Sequence, residues 1–369
     1  MIKVDQNSLG NVVNTVLGQI SASKMGATMV HEHCFMDSDT EFWVKPKQIP
    51  KEFVHIYREP VSISNLDLVK RAAGYSIDNG NNGDVGERLQ ELDAYKAAGG
   101  RTIIDVTPEG LGRNNHVHKL PQVSKDSGVN IVAAVGHYVA ASHPPRIKKQ
   151  TAEEVAQDLI KEITEGILDT GIKAGVIKTA VTPNRFTDAD KKVLKAAMIA
   201  QKETGVPITT HMWGDLVGKW PGFKVIEMLQ KNDVDLNKFY ISHIECTESQ
   251  EKDWGVAVRA AAAGAYLSID NFGKEFPYGS LDNTFDDYGY IGSPTDLDRI
   301  RLIKKIIHEG YEDKIVVGHD SAYKVQKLAY GGPGLCHILN NVPALFKHLG
   351  IDQRYFKKIT VDNPRKLFG

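Results

Sequence analysis

The chain has 369 residues, 41% of them hydrophobic and 25% charged, the composition of an ordinary folded protein and not of a disordered or fibrous one. Its 45 Lys and Arg against 46 Asp and Glu leave a formal charge of -1 with no basic run that could follow a phosphate backbone, which excludes nucleic acid as a partner. No stretch approaches the roughly 20 apolar residues that span a bilayer, and the first residues lack a secretory signal, so a cytoplasmic protein with a small-molecule substrate and no membrane partner is expected.

In chain order, the first 25 or so residues read as a short N-terminal β segment. After it, short β-rich apolar runs alternate with longer stretches of helical periodicity. The runs occupy residues 27–30, 102–106, 130–135, 175–178, 207–210, 239–242, 266–269 and 315–318. Thr151 with Glu154, and Thr187 with Asp190, read as helix starts closed by a capping box. Gly99, Gly128, Gly205, Gly264 and Gly310 fall between a periodic segment and the next run, where a helix ends on a left-handed residue. Eight such units, with no Gly-rich phosphate fingerprint after the first strand, predict an α/β fold, a (β/α)8 TIM barrel with residues 1–369 as one domain. Residues 35–81, 270–294 and 321–334 are too long for turns and read as lids or binding loops, the first with room for a short helix. Cys34, Cys246 and Cys336 are odd in number and unpaired in spacing, which argues against a disulfide framework or a cysteine zinc knuckle.

Active sites of such barrels lie at the C-terminal ends of the strands, so polar residues there carry the chemistry. The first strand runs into His31, Glu32 and His33, the fifth into His211, the sixth into His243 and the eighth into His319 and Asp320; the fourth includes Lys178. Being two apart on a strand, His31 and His33 share a face, and Glu32 points away. Four imidazoles and a carboxylate from separate strand ends make a cage for divalent cations. His116, His118, His137, His143, His308 and His348 lack such company and read as packing residues. Lys178 is the awkward member, because an ammonium among cations is repelled; it must be neutral, modified or paired, or else reach out to a substrate anion.

The ordered set Val30-His31-Glu32-His33, Gly175-Val176-Ile177-Lys178, Thr210-His211, Ser242-His243 and Gly318-His319-Asp320 closely resembles the phosphotriesterase family, with its lactonases, of the amidohydrolase superfamily. Asn130-Ile131-Val132-Ala133-Ala134 and the closing Asn363-Pro364-Arg365 extend the likeness over nearly the whole chain. The resemblance implies a metal-dependent hydrolase holding two divalent metal ions, zinc foremost, with manganese, cobalt or iron as alternatives. One, more buried, would sit on His31, His33 and Asp320, and the other, more exposed, on His211 and His243. It further implies that Lys178 is carbamylated and bridges both ions together with a hydroxide, that Asp320 is the catalytic proton carrier, and that the protein is a homodimer, as relatives often are.

The metal centre does not choose among the family's lactonases, carboxylesterases and phosphotriesterases. Tyr138 follows the third strand where lactonase-like members place a tyrosine over the metals, which points to opening of a lactone ring. Lys274 in the seventh loop, with Tyr323 and Lys324 in the eighth, puts cationic and phenolic donors at the rim, an anion clamp suited to a phosphorylated sugar lactone. Phe272, Phe276 and Trp213 are candidate apolar walls for a phosphotriester. A phosphotriesterase or carboxylesterase on the same centre is the alternative. From another class comes a non-catalytic barrel binding metal or metabolite, whose mark would be loss of Asp320, Lys178 or one histidine; all are present.

Overall fold

A computed structural model describes residues 12–37, 49–182, 185–212, 220–248, 254–275 and 294–369. An antiparallel hairpin, β1 (Val12–Thr15) with β2 (Gly18–Ser21), precedes eight parallel strands that pair in sequence order. These are β3 (Ala27–Glu32), β4 (Gly100–Asp105), β5 (Asn130–Gly136), β6 (Val176–Val181), β7 (Ile208–Met212), β8 (Phe239–Ser242), β9 (Tyr266–Ile269) and β10 (Ile315–Val317). Helices follow them around a nearly closed barrel: α1 (Val85–Ala97), α2 (Leu120–Ser127), α3 (Ala152–Thr164), α4 (Asp188–Thr204), α5 (Gly222–Lys231), α6 (Gly255–Ala262), α7 (Asp296–His308) and α8 (His337–His348). Every apolar run read from the sequence is a strand, with its ends moved by three residues at most.

Local chemistry sets the helix ends. Thr151 Oγ1 accepts from the Glu154 N–H at 3.2 Å while Glu154 Oε2 accepts from the Thr151 N–H at 2.7 Å, satisfying two donors that the first turn leaves open. Thr187 with Asp190, and Thr295 with Asp298, repeat the arrangement. All five glycines read as helix stops have positive φ, Gly205 at +72° directly after α4.

Successive residues of one strand enter different apolar clusters, as a two-residue pleat requires. Ile103, Ile131, Ile177 and Leu267 face the helices, while Ile104, Val132, Val176, Tyr266 and Val316 fill the barrel. Val13 of the hairpin and Leu367 with Phe368 of the C-terminus join the inner cluster. Asn14 Nδ2 donates to Ala174 O at 2.8 Å and the Val16 N–H to Ile131 O at 2.9 Å, which seats the hairpin at the N-terminal end of the strands. With that end plugged by apolar groups, the inward-facing polar residues are left to the C-terminal mouth. The loop after β3 does hold a short helix, Leu66–Arg71, and its Phe53, Ile56 and Tyr75 pack with Val325 of the loop after β10. No helix among the described residues is long and apolar enough to cross a membrane.

Candidate active site

At the mouth, strand register stacks the functional side chains. Lys178 and Ala180 on β6 pair with Thr209 and His211 on β7, so His211 stands one pleat above Lys178. The end of β5 must come close, because a Cβ on Gly136 would lie only 1.9 Å from Lys178 O; φ of +115° at that position confirms that only glycine serves. On β3, Val30 belongs to the inner cluster, and yet His31, the next residue, also faces inward. The β3–β4 ladder shifts register between Met29 and Glu32, and a bulge of this kind re-aims a side chain.

Lys178 Nζ reaches within 3.2 Å of His31 Nε2. Asp320 Oδ1 lies 3.5 Å from His31 Nε2 and 3.2 Å from His33 Nε2, which brings three donor atoms within 4.8 Å of one another. Across the mouth, His211 Nδ1 is 2.8 Å from His243 Nε2, and the Tyr138 hydroxyl is 2.9 Å from His211 Nε2.

The outer ring nitrogens are anchored by carboxylates and a hydroxyl that sequence reasoning missed. Asp270, fully buried, places Oδ2 2.8 Å from His31 Nδ1 and Oδ1 2.7 Å from His243 Nδ1. Thr107 Oγ1 lies 2.8 Å from His33 Nδ1 and donates to Asp105 Oδ1 at 2.5 Å, which leaves its lone pair to accept from the ring. Each of these imidazoles therefore carries its proton on Nδ1, and the Nε2 lone pairs of His31, His33 and His243 turn to the mouth. Nitrogen lone pairs and a carboxylate oxygen aimed at shared space are the donor set that a divalent cation takes. The signal for Asp270 was present in the sequence: it directly follows the seventh strand, the same reason that singled out Asp320.

Electrostatics favour the ligating forms. Burial, reinforced by the nearby Lys178 charge, lowers His31 to about 3, and burial with His243 beside it holds His211 well below the usual imidazole range. Burial would raise the Asp320 carboxyl, but Lys274 and the imidazoles of His33 and His31 hold it well below the usual carboxylate range. Asp270 is likewise lowered, the pull of His243 and His31 overcoming its burial. Lys178 is brought down by burial to about 8, against the attraction of Asp320 and Asp270.

Above this layer, Met36, Leu111, Tyr138, Val139, Ala180 and Ala322 form one buried apolar cluster with Tyr323 packed against it. Ala180 shares the β6 face of Lys178, and Ala322 comes two residues after Asp320, so the cluster borders the polar layer directly.

The model of the phosphotriesterase family matches residues 11–368. The chain belongs to that family. Its relatives include N-acetyltaurine hydrolases of Mus musculus, 33% identical over 363 residues, and Salmo salar, 34% identical over 370, each alignment covering 98% of both chains. Among solved structures, a resiniferatoxin-binding protein from Rhodobacter sphaeroides superposes with a TM-score of 0.85 at 28% identity, covering 97% of this chain and 95% of the other. A lactonase from Listeria monocytogenes, at 24% identity, shares the fold with a TM-score of 0.74 over 97% of this chain and 99% of the other. As a phosphotriesterase-family member with relatives of that name, the chain is a hydrolytic enzyme.

The remaining residues singled out in the sequence fall in three places. Lys274 is buried, pairs with Asp320 and lies 5.6 Å from the Tyr323 ring. Lys324 instead meets Asp78 at 2.6 Å, so its charge is already matched by the loop after β3, and the three-residue rim clamp is not assembled in this arrangement. Phe272, read as a pocket wall, is fully buried in the outer core near Arg299; Trp213 and Phe276 lie outside the described residues. Of the histidines read as packing residues, His116 pairs with Asp37 at 2.7 Å and His143 Nε2 donates to Tyr138 O at 2.7 Å.

Proposed function

We propose that this family member is a metal-dependent amidohydrolase that cleaves an N-acyl amide whose amine portion carries an acidic group. The observation that carries hydrolysis is the meeting of His31, His33, Lys178, His211, His243 and Asp320 at one mouth. Two divalent ions, zinc or else manganese, cobalt or iron, would be held by these donors, one by His31, His33 and Asp320 and the other by His211 and His243, and Lys178, deprotonated and joined at Nζ to carbon dioxide with loss of a second proton, would offer both an anionic carbamate in place of an ammonium. When bound, such ions polarise the scissile carbonyl and lower the pKa of a water. Asp320 takes the proton of the attacking water and delivers it to the leaving nitrogen. The buried apolar cluster beside these donors suits a short acyl group, and Lys274, which pairs with Asp320, would be released toward an acidic end when a cation takes that carboxylate.

The choice of amide rests on the N-acetyltaurine hydrolases, 33 and 34% identical along both full lengths. A second reading, opening of a phosphorylated sugar lactone, is favoured by Tyr138 against His211, with Lys274 and Tyr323 holding the phosphate.

The test is protein stripped by chelation and reloaded with zinc, manganese or cobalt, assayed for amine release from N-acetyltaurine and a neutral N-acetyl amide, and for proton release from a lactone panel. Reloaded protein should cleave the acidic amide best, and Asp320→Asn should lower kcat about 1,000-fold. Turnover of lactones alone would hand the assignment to the second reading, and full amide turnover after chelation would defeat both.

A further inference from the structure

Glu32 sits in sequence between two imidazoles of the site, faces away from both, and is fully buried. Three N–H groups converge on its carboxylate. Oε1 accepts from His319 N at 2.8 Å and from His319 Nδ1 at 2.7 Å, and Oε2 accepts from Ser321 N at 3.1 Å. All three donors belong to the residues on either side of Asp320. His319 Nε2 accepts from Ile338 N at 3.2 Å, which leaves the ring proton on Nδ1, where Glu32 receives it.

The turn being held is an unfavourable one. Asp320 has a φ of +46°, a left-handed conformation that residues other than glycine seldom adopt. Its N–H is tied to His31 O at 2.9 Å, and a Cβ on Gly318 would stand 2.9 Å from that same oxygen, so the two segments run in close contact. β3 and β10 are also the two ends of the sheet order, and no ladder joins them among the described residues. Hydrogen bonds to residues 31 and 32 tie the Asp320 turn to β3, while Gln326 Nε2 donates to His319 O at 3.3 Å and to Asp320 O at 3.2 Å from its own loop. A matching device stands across the mouth, where Asp270 Oδ1 takes both the N–H, at 2.9 Å, and the Nδ1 proton of His243, whose φ is +63°.

We infer that Glu32 is a positioning residue for Asp320: by gripping the peptide on both sides of it, Glu32 holds the left-handed turn that aims the Asp320 carboxylate at His31 and His33, and so sets the affinity of that donor set for its cation. This rests on the metal reading given above.

The test is Glu32→Gln, which keeps the side-chain shape but sets an amide NH2 against an N–H donor. Wild type, E32Q and Thr151→Ala are loaded with Co2+, and cobalt stoichiometry, chelator competition and the visible cobalt absorption are measured beside circular dichroism. Thr151→Ala removes an exposed helix cap whose partner is Glu154 and not a residue of the donor set, and serves as a destabilised control. E32Q should stay folded, bind one of two cobalt equivalents 10–100-fold more weakly and shift the cobalt spectrum, while T151A keeps both equivalents and the wild-type spectrum. Wild-type affinity and spectrum in E32Q would overturn the inference. Should E32Q fail to fold, Glu32→Asp is measured in the same way: weakened binding of one equivalent supports the role and wild-type binding overturns it. A wild type that binds no cobalt fails separately, by removing the metal reading together with this one.

Discussion

On the β3 and β10 side of the mouth, two imidazoles and a carboxylate come from segments that share no ladder among the described residues and are joined by Glu32 and by the Asp320 N–H to His31 O, whereas on the β7 and β8 side His211 lies in β7 and His243 directly follows β8, two strands in register with each other. The first side owes its geometry to a side-chain carboxylate and one backbone hydrogen bond bridging a seam. The second inherits part of its geometry from backbone pairing, with Tyr138 meeting the His211 ring and Asp270 holding His243. Asp270 is common to both, since its two oxygens reach His31 on one side and His243 on the other.

Substitutions that strike both sides or one alone will break this contrast or sharpen it. Asp270→Ala removes the acceptors of two imidazoles, so both cobalt equivalents should weaken and kcat/KM should fall about 100-fold or more, as read by metal analysis and steady-state kinetics. Loss confined to one equivalent would show that the two sides do not lean on Asp270 together. Thr107→Val leaves His33 without its Nδ1 partner and should weaken one equivalent about 10-fold, with His211 and His243 unaffected. The smallest effect belongs to Tyr138→Phe, which removes one hydrogen bond to His211; with both metals retained, kcat should drop about 5-fold, the equivalent of about 1 kcal/mol. A much larger loss of lactone than of amide turnover in that variant would favour the second substrate reading.

What the sequence alone determined were features carried by local pattern. Strand runs, the capping boxes at Thr151 and Thr187 and the helix-ending glycines depend on neighbours a few residues away, and the polar residues at strand ends became legible once eight βα units implied a barrel with its site at one mouth. The tertiary structure alone decided how those ends are oriented. The bulge that turns His31 inward beside Val30, the left-handed backbone at His243 and Asp320, and the carboxylates of Asp270 and Glu32 that hold them act between residues as far as 287 positions apart, as Glu32 and His319 are. Lys324 and Phe272 show the same limit: a lysine beside the mouth chose Asp78, and an aromatic in a long loop chose the core, because pairing and burial are settled by which surfaces meet when the chain closes, and not by composition along it.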